Sequence, residues 1–227
     1  MAKAKLSVQE KRDLARWEIM ESSMELFYNK GYEATTTREI VAKAGILNGS
    51  LYNRFKNKDE ILVSMIKEAL TQILDRAAPI FDKERNILLA ASFPGAVHIY
   101  LAHKSQRIAD MLYEAHRMWP AVENYVELYT KWAGKYLSDF GFKSFDESAI
   151  RMGMISLIGS VGNQVGYYAH GGTAPLSEAL RHHVSLMSMS IAMPPLNLEE
   201  LIAKLVALLD SFDLSFMGYG PKGNASA

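Results

Sequence analysis

Apolar side chains recur every three or four residues along most of this chain, which is the spacing that places them on one face of an α-helix. The first such stretch predicts a helix over residues 14–30 that Gly31 ends. Two shorter helical patterns lie within 36–57. A broad apolar face then predicts a helix that begins at Lys58 and that Pro79 is expected to stop. The pattern is that of an all-α protein.

The second half of the chain carries the remaining helical patterns. Pro94 and Gly95 are expected to break the pattern between residues 86 and 119, and Pro120 to end it, so two or three short helices are predicted there. Longer helices are predicted over 121–140, from about 152 to Gly171, over 175–193 and over 198–216. The two ends of the chain, 1–10 and 218–227, are expected to be frayed or disordered.

The segment 152–177 contains no Asp, Glu, Lys or Arg. Asn163 and Gln164 at its middle, together with many Gly and Ser residues, argue against a membrane span and favour a helix buried on most sides. Gly159, Gly162 and Gly166 recur at three- and four-residue spacing. Such a ridge of small residues permits close helix approach, so this helix and the next one along the chain are the expected dimer interface.

Residues 36–58 carry the strongest local signals. Thr36 and Glu39 have the spacing of a capping box, which begins a helix, and Gly45 is expected to end it. A second helix is predicted from Asn48, and another capping box, Asn57 with Glu60, begins the helix at Lys58. Two short helices joined by a tight turn that contains glycine make a helix-turn-helix.

The outer face of the second short helix carries polar, aromatic and cationic side chains. These groups suit a helix that reads base edges in the major groove, while nearby cations and helix N-termini hold phosphates. The periodicity alone leaves open a helical hairpin of another all-α protein with solvated charges. The side chains concerned are Asn48, Ser50, Tyr52, Asn53 and Arg54.

The same stretch resembles a known family. The run FYNKGY at 27–32, TTREI at 36–40, Ala44-Gly45, GSLY at 49–52, Phe55 and KDEIL at 58–62 is similar to the N-terminal domain of TetR-type transcriptional repressors, over about residues 12–70. The resemblance implies DNA contact by eight residues, with Lys58 on a phosphate at its helix N-terminus. They are Thr37, Arg38, Asn48, Gly49, Ser50, Tyr52, Arg54 and Lys58.

Charge is distributed unevenly along a chain whose formal net charge is zero. Residues 1–58 hold 11 Lys and Arg against 7 Asp and Glu, whereas the remainder holds 14 against 18. A basic head on an acidic body attracts phosphate to one end. The absence of cysteine excludes disulfides and thiol chemistry, and the first residues lack the apolar core of a secretion signal, so a cytoplasmic location is expected.

A ligand site is predicted among the Met- and aromatic-rich helices of 93–132, although such stripes more often form plain core. The candidate residues are His98, Met111, Tyr113, His116, Tyr125, Tyr129 and Trp132. Aromatic and methionine side chains dominate the candidate walls, so the effector should be largely hydrophobic. The histidines lack chelating spacing, and no nucleophile elbow, phosphate loop or dinucleotide fingerprint is present. No enzyme, metal site or cofactor is therefore expected.

We thus predict an all-α chain with a three-helix DNA-binding head at 1–57, an effector-binding and dimerisation body at 58–217 and a tail at 218–227. The expected function is a ligand-responsive repressor, a homodimer that an apolar molecule releases from a palindromic operator. The helix from Lys58 is the expected lever between the two parts. The alternatives are an activator, a family member without an effector, and a helical ligand-binding or protein-interaction module that binds no DNA.

Overall fold

The computed structural model describes residues 7–139, 147–191, 195 and 197–213. Every regular element in that part of the chain is an α-helix, as the hydrophobic pattern predicts. The helices are α1 (Val8–Lys30), α2 (Thr37–Ala44), α3 (Asn48–Tyr52), α4 (Lys58–Glu84), α5 (Ile87–Lys104), α6 (Gln106–Arg117), α7 (Trp119–Asp139), α8 (Glu147–Ala169), α9 (Leu176–Ser190) and α10 (Leu198–Ser211).

Packing divides the chain between Met65 and Ile66 into two units. The first, here called the head, contains α1–α3 and the start of α4. The second, the body, contains the rest of α4 and α5–α10. The predicted domain limits at residues 57 and 217 stay predictions, and the predicted tail lies outside the described residues.

Helix α1 begins earlier than the periodicity predicts, at Val8 rather than at residue 14. Ser7 and Glu10 form a capping box: the Ser7 hydroxyl accepts a hydrogen bond from the Glu10 amide, and the Glu10 carboxylate accepts one from the Ser7 amide at 2.7 Å. These bonds satisfy two amides that the helix start leaves without partners. The predicted frayed arm is therefore wrong for residues 7–10, and residues 1–6 lie outside the described residues.

Two prolines lie inside helices that they were expected to stop. Helix α4 continues through Pro79 to Glu84, and α5 continues through Pro94, so the break falls at Ser105 instead. A proline costs a helix the bond to the carbonyl four residues earlier. In α4 the carbonyl that loses this bond belongs to Asp75, which is exposed, so water can bond to it instead. In α5 the surrounding helices hold the segment in place by tertiary packing. Pro120 lies in the first turn of α7, where backbone amides have no carbonyl partner within the helix, so the missing amide of proline costs no hydrogen bond.

Helix α5 is the centre of the body. Fourteen of its residues are buried, around its whole circumference, and it packs against α6, α7, α8, α9 and α10. A helix that is apolar on all sides must be surrounded in this way. The Ser105 hydroxyl then accepts a hydrogen bond from the Ile108 amide and begins α6.

Helix α8, which carries no charged side chain from Met152 onward, is less buried than predicted, because its small-residue ridge divides between two faces. Gly162 and Gly166 are buried, and a Cβ built on them would lie 2.9 Å from the Cβ of His116 and 2.6 Å from the ring of Tyr113, both on α6. Gly159 is exposed and has nothing within 4 Å of such a Cβ. Close approach within one chain therefore explains part of the ridge.

An uncharged stripe of α8 remains exposed at successive turns. It consists of Met152, Ser156, Gly159, Asn163 and Tyr167. Gly171, with φ of 84°, ends the helical segment as predicted. Helix α10 ends at Ser211, whereas the predicted end is residue 216. Residues 214–216 lie outside the described residues, and so does Gly141, the predicted end of α7. No helix in the described part of the chain is long and apolar enough to cross a membrane.

The close approach of α8 to α6 can be tested with a pair of glycine variants. Gly162→Ala should lower the free energy of unfolding by about 1–3 kcal/mol, because the new methyl group overpacks the contact with His116. Gly153→Ala on the same helix should raise it by about 1 kcal/mol, because its Cβ meets nothing within 4 Å and alanine is the better helix former. Chemical denaturation of both variants gives the comparison. Equal effects would contradict the assigned contact.

Candidate effector site and nucleic-acid interface

A small cavity lies within the body, between α5 and the helices around it. Its volume is about 20 Å³, which is room for about one water molecule. The lining combines apolar side chains from α4, α5, α8 and α9 with three histidines and two tyrosines. The lining residues are Leu70, Pro94, Gly95, His98, His116, Tyr125, Tyr129, Met154, Leu157, Ile158, Val161, His183 and Met187.

Two of the histidines are coupled to each other and to a tyrosine. The Nδ1 atom of His98 lies 3.1 Å from Nε2 of His116 and 3.2 Å from the Tyr125 hydroxyl. The His116 ring stacks on the Tyr125 ring, with centroids 5.1 Å apart and an interplanar angle of 4°. Helices α5, α6 and α7 thus each contribute one ring to this cluster.

The third histidine, His183, comes from α9. Its Nε2 atom lies 2.9 Å from the Ser92 carbonyl oxygen. A Cβ on Gly95 would approach the His183 ring within 2.6 Å, so only glycine fits at this point of α5. Each ring also keeps one nitrogen without a hydrogen-bond partner among the described residues: Nε2 of His98, Nδ1 of His116 and Nδ1 of His183. A buried polar atom left unpaired costs about 1–3 kcal/mol.

Burial keeps all three imidazoles neutral. It lowers the pKa of His98 and that of His183 to about 4, and it lowers the pKa of His116 well below its usual value. Burial likewise raises the pKa of Tyr125, which stays a phenol. Among the described residues, no group of three or more His, Asp or Glu side chains is arranged to hold a metal ion. The cluster is therefore a set of neutral hydrogen-bonding groups in an apolar wall.

The helix-turn-helix of the head forms where the local signals place it. Thr36 caps α2 through the reciprocal box with Glu39, and Gly45 adopts the left-handed conformation at φ 65° and ψ 29°. Asn57 accepts a hydrogen bond from the Glu60 amide at 2.8 Å, while the Glu60 carboxylate accepts one from the Lys56 amide. That second bond differs from a full capping box, in which Glu60 would bond to Asn57.

Helix α3 exposes most of the predicted reading residues. Asn48, Gly49 and Tyr52 are exposed, whereas Leu51 beneath them is fully buried. The Tyr52 hydroxyl lies 3.4 Å from the Thr37 hydroxyl, so the end of α3 meets the start of α2. Tyr52 is 55% exposed, which rules out its burial against Phe55. Leu47, just before α3, is 79% exposed and was not singled out from the sequence.

Lys58 already has partners within the head. Its ammonium donates to the Tyr32 carbonyl at 2.7 Å and lies 4.1 Å from the centre of the Tyr32 ring. The Tyr32 hydroxyl in turn donates to the Asp59 carboxylate. These contacts tie the turn before α2 to the start of α4. Lys58 therefore has a positioning role in the head beside the phosphate contact that the resemblance implies.

Arg16 on α1 holds the end of α3 against α4, a role that the sequence did not reveal. It donates to the Ser64 hydroxyl at 2.8 Å, and its guanidinium lies 4.3 Å from the centre of the Phe55 ring. Arg54, two residues after the end of α3, donates to the Ser50 carbonyl of that helix at 2.7 Å. Arg54 is thus half-buried, which limits the phosphate contact expected of it.

The cations of the head differ in how far they are neutralised. Lys30 pairs with Glu39, and this contact, together with the bonds to Thr36, lowers the pKa of Glu39 to about 2. Lys43 pairs with Glu25. Arg38 is exposed, and no hydrogen bond or ion pair links it to the described residues. Arg38 is thus a cation that is available for a phosphate or a base.

The comparison with known families decides what this head is. Residues 19–65 match the family model described as bacterial regulatory proteins of the tetR family. The head is a TetR-type helix-turn-helix domain. The match covers α1 from Ile19, both short helices and the start of α4.

Relatives of known name support the same assignment for the TetR-type head. Over 108 residues the chain is 31% identical to the HTH-type transcriptional repressor KstR2 of Mycolicibacterium smegmatis, a match that covers 42% of this chain and 52% of the relative. The chain thus spans about half the length of the curated relatives it matches first. For the rest of the chain, the comparison with solved structures shows which proteins have a similar fold.

Two solved structures share the fold of the TetR-type head followed by a helical body. A putative TetR-family regulator from Syntrophomonas wolfei is 18% identical, with a TM-score of 0.56 over 82% of this chain and 99% of its own. FadR of Thermus thermophilus, a TetR-family repressor in complex with lauroyl-CoA, is 22% identical, with a TM-score of 0.59 over 79% of this chain and 96% of its own.

The structure brings together part of the predicted ligand site. His98, His116, Tyr125 and Tyr129 line the cavity, whereas Met111, Tyr113 and Trp132 do not. Sequence reasoning missed His183, because the adjacent pair with His182 was considered only as a possible chelate. The signal that could have identified it is spacing: His183 and Met187 are four residues apart on α9 and therefore lie on the same, buried face. The assignment of a ligand to any of these residues stays a prediction.

The buried histidines should make the body sensitive to acid. In the unfolded chain a histidine takes up a proton below about pH 6.5, whereas folded His98 and His183 do so only near pH 4. Stability should therefore fall as the pH is lowered from about 6.5 to 4, by about 1.4 kcal/mol per pH unit for each ring. Denaturant unfolding across this range measures the slope. His98→Phe should reduce it, whereas the same change at exposed His103 should not; equal slopes would contradict the burial of His98 as a neutral ring.

Proposed function

We propose that this protein is a ligand-responsive transcriptional repressor that binds operator DNA as a homodimer. The observation that carries the proposal is the TetR-type head, in which Arg38 on α2 and Asn48 and Tyr52 on α3 are exposed. An α-helix that presents an amide and an aromatic side chain from its first turns suits base edges in the major groove. The repressors among the relatives support the sign of regulation.

The proposed homodimer uses the exposed face of α8 and α9. Two heads are needed to read two half-sites about one helical turn apart, or a multiple of that. The uncharged stripe of α8 and the neighbouring His182 border a shallow open depression. Met152 is 60% exposed and Met189 on α9 is 70% exposed. An exposed patch that contains apolar side chains and has no charged residue at its centre is typical of a surface that a second copy covers.

The effector site that we propose is the cavity of the body. An effector with an apolar part is supported by the cavity lining and by the complex of the Thermus FadR, a protein of the same fold, with lauroyl-CoA, whose lauroyl chain is a hydrocarbon. The cavity holds about one water molecule, so an effector has to open it. Leu70 of the cavity wall and Lys58 belong to the same helix, α4, which makes α4 the proposed route of coupling. Linkage requires operator DNA to weaken effector binding by the factor by which the effector weakens DNA binding.

Two head variants distinguish base reading from phosphate contact. Asn48→Ala should relax the preference at one base position by about 1–3 kcal/mol while leaving non-specific binding unchanged. Lys58→Ala should weaken binding to all sequences about equally and reduce the salt slope by roughly one. Fluorescence anisotropy with a selected operator, at several salt concentrations, measures both effects.

The head variants need a control for folding, because Lys58 also binds the Tyr32 carbonyl. Circular dichroism on each variant checks that the head is intact, and Lys204→Ala on α10 removes an exposed cation of the body as the matched control. If both head variants bound like the unmutated protein, this head would not be the DNA-binding surface.

A charge on the exposed stripe of α8 should prevent dimerisation. Gly159→Glu adds a carboxylate where a second copy is proposed to pack, so sedimentation at micromolar concentration should show monomers and operator affinity should fall. Ala203→Glu makes a similar change at an exposed position of α10 and should leave the dimer intact. A monomeric unmutated protein would exclude the proposed assembly.

A further inference from the structure

The three histidine rings of the cavity define the chemistry of its ligand more narrowly than apolar lining does. This inference rests on the proposed function for its biological role, because it concerns the same effector site. A neutral imidazole has one donor nitrogen and one acceptor nitrogen. The known contact of one nitrogen therefore fixes what the other can do.

His183 offers an acceptor. Its Nε2 atom lies 2.9 Å from the Ser92 carbonyl oxygen, which can only accept, so Nε2 carries the proton. Nδ1 is then a bare acceptor, and it has no hydrogen-bond partner among the described residues. A ligand that satisfies this atom must bring a donor.

His98 and His116 together offer one donor and one acceptor. Their facing nitrogens are 3.1 Å apart, so one proton lies between them. If His98 Nδ1 carries that proton, the outer nitrogen of His98 accepts and that of His116 donates. If His116 Nε2 carries it, the two outer roles exchange. The Tyr125 hydroxyl, 3.2 Å from His98 Nδ1, can accept in the first state and donate in the second.

Charge is missing from this wall. None of the described residues that line the cavity is Lys, Arg, Asp or Glu. His98 and His183 are buried and His116 is partly buried, and the lowered pKa of each keeps its imidazole neutral at physiological pH. A carboxylate offers acceptors only, so it would leave the acceptor nitrogen of His183 and that of the paired rings unsatisfied and would be buried without a counterion. A hydroxyl group both donates and accepts.

We propose that the effector is an uncharged, hydroxyl-bearing apolar molecule whose hydroxyl group donates to the free Nδ1 atom of His183 and accepts from the donor nitrogen of the His98–His116 pair, while its hydrocarbon part opens the cavity between α5, α8 and α9. Met154 and Met187 in the wall are unbranched and adaptable, so they can move aside for the hydrocarbon part. Because the outer roles of His98 and His116 can exchange, either of these two rings can supply the donor nitrogen.

The test compares ligands that share one hydrocarbon skeleton. para-Alkylphenols of increasing chain length are titrated into the full-length protein by calorimetry at neutral pH, beside the para-alkyltoluenes and para-alkylbenzoates of the same chain length. The best phenol should bind at least about tenfold more tightly than its toluene, which is about 1.4 kcal/mol, and the benzoate should bind more weakly than the phenol. Equal affinity of phenol and toluene, tighter binding of the benzoate, or no saturable phenol binding would each overturn the proposal.

A variant pair assigns the effect to the ring nitrogens. His183→Phe keeps the ring and removes its nitrogens, so phenol affinity should fall about tenfold while toluene affinity stays unchanged. His103→Phe changes an exposed histidine of α5 outside the cavity and should alter neither. A loss of both affinities in folded His183→Phe, or no loss of phenol affinity, would contradict a hydrogen bond to this ring.

A measurement on the unmutated protein covers the case in which His183→Phe does not fold. Nitrogen-15 spectra of histidine-labelled protein report the protonation of each ring nitrogen, and the three cavity rings should shift when the phenol binds. Binding without such shifts would overturn the proposal. Calorimetry and these spectra need no DNA, so they are read separately from operator binding. A protein that binds phenol but no operator would refute the proposed function and leave this site standing.

Discussion

The body depends on how closely α5 and α8 can be approached by their neighbours. At Gly95 a methyl group would lie 2.6 Å from His183, and at Gly162 it would lie 2.9 Å from the Cβ of His116. These two glycines allow helices with bulky rings to pack against α5 and α8. The close packing buries the imidazoles wholly or in part, which keeps them neutral, and each retains one nitrogen with no hydrogen-bond partner in the described part of the chain. Helix geometry thus sets the chemistry of the cavity.

The head depends on shorter-range interactions. Capping boxes begin α1 and α2, and Gly45 ends α2 in the left-handed conformation, which glycine adopts more readily than other residues do. Tertiary contacts from Arg16 then hold the end of α3 in place, and contacts from Lys58 hold the turn before α2. This arrangement keeps Arg38 and Asn48 at the surface with their side chains available, while the apolar side chains that position them are inside.

The difference in range explains what could be predicted from the sequence. The caps of α2 and the turn at Gly45 are local, so the helix-turn-helix was predicted correctly, and the overlooked Ser7 box was equally readable. The effect of Pro94 was misjudged because tertiary burial, which a helical propensity does not contain, holds α5 together. The effect of Pro79 was misjudged because the carbonyl that loses its hydrogen bond, that of Asp75, is on an exposed residue where water can bond to it. For the cavity, the sequence indicated His98 and His116 but not His183. Which rings meet depends on helix crossings, and periodicity gives only the face that each residue occupies.

The size of the cavity also has a kinetic consequence. A space of about 20 Å³ admits about one water molecule, so the proposed effector does not fit into it in the conformation described. Its binding would require helices packed around α5 to separate, and side chains in such a core move together because the interior is densely packed. The association rate of the proposed effector would then be set by the opening frequency of the body rather than by diffusion. A pulse of that effector shorter than the opening time would not be sensed, and the packing of α5 would in that way filter out transient signals.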